Sequence, residues 1–452
     1  MSFTRYPNYK DSGVEWLGEV PEHWDLKPLW TFFRRVKRTG FDDEQLLSVY
    51  RDHGVVLKAS RADNFNKPSD DLSVYQLVVP GDLAINKMKA WQGSVAISEH
   101  RGIVSPAYFV YEALHSADSR YLHYLMRSLR YITGYMSVSK GIRVNQWDLE
   151  PQLHSRMPLT VPPLPEQTQI AAFLDRETEK IDELVAEQRR LMELLKEKRQ
   201  AGISHAVTQG LNPHAPMKPS GIEWLGDVPV HWEVMSLRRC SLRVQTGGTP
   251  SSEPPSTDIE DGLVWYTPGD FGDSLRLTMS DRKISRSVAE SGEAKVFPPG
   301  SALIVSIGAT LGKVGFAEAA SSGNQQINAV IPNNRIDGYF LTYSLLVKTE
   351  VMRFLSNAST IGIMNQEKTK QIWLSVPPRK EQENITAYLD TESAKFDTLT
   401  TEAQHAIALL QERRTALISA AVTGQIDVRP LCQLLKVGAG GTAIRSGESS
   451  AA

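Results

Sequence analysis

Two stretches of the chain carry apolar residues in the alternating three- and four-residue steps of a heptad. The first seam runs Leu174, Glu177, Ile181, Leu184, Gln188, Leu191, Leu195, Lys198; the second runs Leu389, Glu392, Phe396, Leu399, Ala403, Ala406, Leu410, Arg413. Polar interruptions fall at matching places in both. Val161-Pro162-Pro163 and Val376-Pro377-Pro378 precede them, and proline holds itself and its predecessor away from helix. The pattern predicts helices over Glu166–Thr208 and Glu381–Thr423, each about 65 Å long at 1.5 Å per residue. Neither can bury such a stripe alone. A block of other structure returns the chain between them, so an antiparallel coiled coil of the two is expected. The alternative packs each helix on its own domain.

The rest of the chain has the shorter rhythm of strands. Tyr75–Val79, Leu83–Ile85, Ser94–Ile97 and Tyr108–Tyr111 lie between turn signals such as Pro80-Gly81-Asp82, and a helical stretch, Ala117–Met136, follows. Residues 235–373 repeat the plan. Leu263–Tyr266, Leu303–Ile307, Lys313–Phe316 and Ala329–Ile331 are the strands, Pro299-Gly300 the turn and Tyr339–Leu355 the helix. Each block therefore reads as a mixed α/β (α+β) domain. Both place a Pro-Gly turn, a strand and then a loop rich in Gly and Lys, so the likeness is expected to reach the fold.

Duplication is explicit outside the blocks. SGVEWLGEVPEHWDL (Ser12–Leu26) and SGIEWLGDVPVHWEV (Ser220–Val234) agree at ten of fifteen positions, 208 residues apart. Residues 161–208 and 376–423 agree at half of 48 positions, 215 apart. The expected organisation is a frame segment at 1–26, a first block at 27–158, a helix and linker at 159–219, a second frame segment at 220–234, a second block at 235–373, the last helix at 374–428, and a disordered tail at 429–452.

Composition narrows the classes. A hydrophobic fraction of 41% and a charged fraction of 23% over 452 residues describe a multidomain globular chain. The net charge of −2 announces no long-range basic field. Locally, residues 25–143 carry 17 Lys and Arg against 12 Asp and Glu, while 161–210 carry 7 against 9. Any nucleic acid is thus expected on the blocks rather than on the helices. Two cysteines, Cys240 and Cys432, support neither a disulfide framework nor a thiolate metal cluster. The start, MSFTRYPNYKDSG, lacks an apolar signal region and no run reaches membrane-spanning length, so a cytoplasmic location is expected.

Taken in order, these segments resemble a family. The paired GxEWLGxVPxHW segments, the two PPxxEQ openings with long helices and the divergent blocks between them are similar to a type I restriction-modification specificity subunit. So are GGTP (Gly247–Pro250), WYTPGD (Trp265–Asp270), SIGATLGKVG (Ser306–Gly315) and NQQINAVIP (Asn324–Pro332) of the second block. NKMKAWQG (Asn86–Gly93), GIVSPAYFVY (Gly102–Tyr111) and GIRVNQWDLE (Gly141–Glu150) of the first resemble target-recognition domains of that family. The likeness covers about residues 1–428. One departure is Arg379-Lys380, where the first copy has Leu164-Pro165. The resemblance implies two target-recognition domains, each reading half of an asymmetric bipartite DNA target. It implies helices that serve as spacer and as dock for two methyltransferase subunits, with restriction-translocase subunits completing the complex. S-adenosylmethionine, ATP and magnesium would then be bound by the partners, and this chain would hold no cofactor or metal and catalyse nothing.

Candidate DNA contacts follow from residue chemistry. Lys87, Lys89, Trp91 and Gln92 combine phosphate-neutralising charge, an aromatic ring and an amide suited to adenine; Trp91 as core is the rival reading. Ser306–Gly315 is one residue too short for a Walker loop and has Val314 where Ser or Thr is needed. A turn presenting Thr310 and Lys313 to DNA fits it, beside a purely structural turn. Thr249 joins the candidates from GGTP. Asn324, Gln325 and Gln326 are consecutive amides, and a strand would send Gln325 opposite its neighbours. Arg143, Asn145 and Gln146 in the first block, with Asn365 and its neighbours Met364 and Gln366 in the second, either touch DNA or brace the return to the frame. Trp16, His23, Trp24 and Trp224, His231, Trp232 are expected to pack on the long helices. A methyltransferase is excluded by the lack of an Asn/Asp-Pro-Pro-Tyr loop and of a Gly-rich cofactor loop. A nuclease would rest on Asp270 with Glu293-x-Lys295, a loose pattern with the wrong spacing. A DNA-binding coiled-coil scaffold outside restriction accounts for the helices but not for two dissimilar domains in one frame.

Overall fold

The computed structural model describes residues 3–51, 53–61, 67–141, 147–272, 274–356 and 362–430. Arg143, Asn145, Gln146, Cys432 and the tail from 431 onward lie outside the described residues. The chain divides into two compact units, residues 1–188 with 405–452, and residues 189–404. Two helices of 46 and 44 residues, Leu164–Gln209 and Arg379–Val422, run through both.

In the first unit, the frame segment enters through Asp25–Pro28, which pairs antiparallel with Pro158–Val161, the strand that leaves the block. Between them lies a four-stranded sheet of order Phe33–Val36, Tyr108–Ala113, Leu83–Asn86, Val95–Ile97. Leu83, Ile85, Val95 and Ile97 point to a core shared with the helices Ser119–Arg127 and Leu129–Ser137 and with both long helices. Ala84, Ala96 and Val110, on the other face, pack on the hairpin Leu47–Tyr50/Gly54–Leu57. Period-two alternation therefore feeds two cores from one sheet. Within this unit the long helices are antiparallel: Ile170, Ala171 and Leu174 cluster with Leu417, Ile418 and Val422, and Arg414 Nε bonds Asp182 at 3.1 Å.

The second unit repeats the plan. Glu233–Ser236 pairs antiparallel with Trp373–Val376. The sheet order is Ser241–Thr246, Ile327–Pro332, Ser301–Val305, Val314–Ala317, with Arg276–Leu277 added as a fifth, parallel strand. Gly338–Leu346 and Thr349–Ser356 replace the paired helices of the first block. Ile203, Ala206 and Val207 meet Ile385 and Leu389, and Arg199 bonds Asp397 at 2.6 Å, so here too the long helices are antiparallel. The first four strands match those of the first block in order and chain sequence. The duplication thus extends into blocks whose side chains have diverged.

The helical seam differs from the expected one in phase. Leu174 and Ile181 face inward, but their neighbours on the buried side are Thr178 and Val185, followed by half-buried Gln188, Met192, Leu195 and Arg199. The second helix buries Leu389, Ser393 and Ala403, with Phe396, Thr400, Ile407, Leu410 and Arg414 half-buried. Every second seam position is one residue later than the leucine count suggests, and Leu184, Leu191, Leu194, Leu399 and Leu409 are left exposed. A 3.5-residue period admits both phases; the burial of the flanking helix ends against the blocks selects this one. The helix in each block is also two helices: the first is capped by Asp118 or Asp337 and breaks at Ser128 or near Val347.

Candidate nucleic-acid interface

In each block the sheet ends where the candidate residues begin. In the second block the ends of Ser241–Thr246 and Ser301–Val305 and the starts of Val314–Ala317 and Ile327–Pro332 share one edge, since Thr246 pairs with Asn328, Val305 with Ile327 and Ile304 with Val314. The loops from that edge are 247–250, 306–313 and 324–326. They are sewn together through their backbones. Ser306 donates N–H and Oγ to the Gln326 carbonyl at 2.7 and 2.9 Å, Met364 N–H donates to the Ser306 carbonyl at 2.8 Å, and Gly248 N–H donates to the Gly323 carbonyl at 2.8 Å. A Cβ on Gly247 would lie 2.2 Å from the Gly323 carbonyl oxygen, so only glycine allows that approach.

The three amides lie in the turn before Ile327–Pro332 rather than in a strand, and they divide. Asn324 is buried; its amide donates to Gln326 Oε1 at 3.1 Å and its oxygen accepts Gln326 N–H at 3.0 Å. Gln325 points outward, and its Oε1 accepts Thr249 Oγ1 at 3.0 Å. Thr310 is half-buried in the turn closed by Gly312, at φ +91°. Lys313 is exposed, yet its Nζ donates to the Phe271 carbonyl at 2.7 Å and ties the loop to the neighbouring turn. Asn365 is exposed and caps the helix Gln366–Lys370 by accepting Lys368 N–H at 2.9 Å. The brace at this corner is a residue that composition did not single out. Asn328, fully buried, donates to the Met364 carbonyl at 2.7 Å and accepts Thr246 Oγ1 at 2.7 Å.

The corresponding edge of the first block carries Lys87, Lys89, Trp91 and Gln92 in the loop between Leu83–Asn86 and Val95–Ile97. Lys89 and Gln92 are exposed. Lys87 Nζ stands 3.8 Å from Asp148. Trp91 is half-buried; its ring meets that of Trp147 at 5.0 Å, and its Nε1 donates to the Met88 carbonyl at 3.1 Å. Ser139–Lys140 pairs with Asp148–Leu149 at this edge. The first block thus offers two lysines, two indole rings and the amide of Gln92, where the second offers amides, hydroxyls and the tethered Lys313.

The joints to the long helices were missed by residue chemistry and are written in the repeated segments. Gln167 Oε1 accepts Asp118 N–H at 2.9 Å, while its amide donates to the Pro162 carbonyl at 2.8 Å. Gln382 does the same for Asp337 at 2.7 Å and for the Pro377 carbonyl at 2.8 Å. Asp175 accepts Tyr124 OH at 2.9 Å and Arg120 at 2.7 Å. Asp390 accepts Tyr343 OH at 2.8 Å, Tyr339 OH at 2.6 Å and Arg276 at 3.1 Å. Burial foremost, then the neighbouring Tyr339 and Asp390, pushes the Tyr343 phenol up. The Gln of both PPxxEQ openings and the Asp of both Leu-Asp pairs were the available signal. The frame tryptophans behave differently from one another. Trp24 and Trp232 are buried as expected, but Trp16 packs on Tyr131 of the block's own helix at 5.2 Å, and Trp224 is exposed.

Comparison with known proteins places this architecture. Residues 229–408 match the family model described as the type I restriction modification DNA specificity domain. Over nearly the whole length the chain is similar to specificity subunits of type I restriction enzymes. The StySPI specificity subunit of Salmonella potsdam is 22% identical across 91% of each chain, and the EcoKI specificity subunit of Escherichia coli K12 is 21% identical across 91% of each. A chain solved to show complex assembly and conformational transition of the type I restriction-modification system superposes with a TM-score of 0.69, at 19% identity, over 90% of this chain and 99% of that one. The HsdS subunit of Thermoanaerobacter tengcongensis gives 0.52 at 19% identity, over 92% and 100%. These likenesses establish the fold of a specificity subunit along the chain.

Proposed function

We propose that this chain is the DNA-recognition subunit of a type I restriction-modification complex. Each block reads one half of an asymmetric bipartite target through the loops at its sheet edge. The observation that carries this reading is one sheet plan held twice in a repeated frame, with unlike chemistry at the equivalent edges. Two different readers on one scaffold suit two different half-sites. Exposed Gln92, Gln325 and Asn365 supply amides for base edges, and Lys87 and Lys89 supply charge for phosphates. The exposed leucines of the long helices suit a dock for two methyltransferase subunits, and restriction-translocase subunits join that assembly. S-adenosylmethionine, ATP and magnesium belong to those partners, and the complex works in the cytoplasm.

A nuclease reading finds no support in the groups it would need. Asp270 caps its own turn by accepting Thr267 N–H at 2.6 Å and Oγ1 at 2.8 Å, and Glu293 is bound by two serines. The test is methylome sequencing of cells that express the chain with its methyltransferase partner. The expected result is one bipartite motif that disappears when this chain is deleted. A methylation pattern unchanged by the deletion overturns the proposal.

A further inference from the structure

Four donors of one exposed loop converge on a single carboxylate. Ser251 N–H donates to Glu293 Oε1 at 2.6 Å, Ser251 Oγ at 2.9 Å and Ser252 N–H at 2.9 Å, while Ser252 Oγ donates to Oε2. Successive main-chain N–H groups flanked by hydroxyls form an anion-binding concavity. Its occupant is fully ionised at working pH: the serine hydroxyls and N–H groups, Ser252 foremost, hold the Glu293 carboxyl down to about 2.

The loop is firmly based. Trp265 Nε1 donates to the Gly248 carbonyl at 3.1 Å, and Gly248 N–H is bonded to Gly323. Thr249, two residues before Ser251, shares its hydroxyl with outward-facing Gln325. Glu293 and both serines are exposed, so the carboxylate can leave by side-chain rotation alone. We propose that the Ser251–Ser252 loop is a clamp for one phosphate of the DNA backbone, and that Glu293 fills it as an internal competitor until DNA displaces it. A phosphate diester presents two oxygens with the charge and reach of the carboxylate, and hydroxyl and main-chain donors are ordinary phosphate contacts. DNA that does not also engage the base-reading edge must compete with a tethered anion. The device therefore lowers binding to random sequence.

This inference rests on the DNA-recognition reading. Its test measures DNA affinity of the full chain assembled with its methyltransferase subunits, on a duplex carrying the methylated motif and on a random duplex, across a KCl series. Glu293→Gln is expected to tighten binding to the random duplex by about 3–10-fold and to steepen the salt slope by about one unit. Glu290→Gln, an equal charge change on a neighbouring exposed carboxylate, is expected to change affinity less than about twofold. The Ser251→Ala/Ser252→Ala pair is expected to weaken binding several-fold with the melting temperature unchanged. Weaker or unchanged binding by Glu293→Gln makes Glu293 a structural latch and overturns the clamp. Failure of the parent complex to bind either duplex overturns the recognition reading itself.

Discussion

Glu166 and Glu381 hold the same place in the two copies and carry different loads. Glu166 is buried and accepts Tyr6 OH at 2.6 Å and Trp24 Nε1 at 3.1 Å, with His23 Nε2 at 2.9 Å. Glu381 meets His231 at 2.9 Å and is 30% exposed, while among the described residues Trp232 Nε1 has no partner. At the position corresponding to Tyr6 the second copy has the exposed His214. Glu166→Ala is therefore expected to cost about 1–3 kcal/mol in chemical denaturation, because it strands a buried indole N–H, and Glu381→Ala less than about 1 kcal/mol. Two histidines of the first unit set a pH dependence. Burial lowers His154 to about 3, and burial with Arg127 beside it lowers His123 to about 4. Both stay neutral in the folded unit, whereas the unfolded chain takes up protons near pH 6.5. Their contribution is complete above pH 6.5 and is lost as pH falls from there toward 4, at up to about 1.4 kcal/mol per unit for each. Urea midpoints measured between pH 7 and 5 should fall, and His154→Phe should reduce that fall. The glutamates were legible as repeated letters. Their loads were not, since Tyr6 lies outside the repeated letters and burial is decided by packing.

The long helices show what an apolar count along an element can and cannot say. It located both helices to within two residues at each end, because no proline and only one glycine interrupts the first of them. It misjudged the facing residues, because a count of leucines favours Leu184 and Leu191 while packing turns their neighbours Val185 and Met192 inward. The exposed leucines should then matter to a partner rather than to folding. Leu191→Glu with Leu194→Glu should leave the melting temperature within about 1–2 °C, since exposed substitutions change stability by about 0.5 kcal/mol or less. The same pair should sharply reduce co-purification of the methyltransferase subunit. Retention of that subunit at the parental level would place the dock elsewhere. The three-residue strand Gly102–Val104, which pairs with Gln76–Val78 inside the expected strand Tyr75–Val79, escaped notice because it carries too little periodicity to stand out.

At the scale of the molecule, each block leaves and re-enters its unit through one antiparallel pair of frame strands, 25–28 with 158–161 and 233–236 with 373–376. A block bounded in this way can be exchanged without breaking a sheet. Replacing residues 27–158 by the equivalent block of a relative should change one half of the methylated motif and leave the other intact. Methylome mapping that showed both halves altered would contradict independent reading. The Gln167 and Gln382 joints belong to the frame rather than the block and grip main-chain N–H groups, so the replacement needs a free backbone N–H at the position of Asp118 to dock.

The sequence by itself determined the two-copy organisation, the long helices, the mixed α/β character of the blocks and the resemblance to specificity subunits, because repeated letters and regular periods are local properties of a chain. Only the tertiary structure decided which seam residues face inward, which of three consecutive amides points outward, and that Asp175 and Asp390 fasten the blocks to the helices. Those outcomes depend on groups far apart in sequence. A side chain's role is set by whichever distant donor or acceptor the fold brings within about 3 Å of it. Lys313 shows the difference most plainly. Its charge and glycine-rich surroundings suggested a phosphate contact, and the fold places its ammonium on the carbonyl of Phe271, 42 residues away.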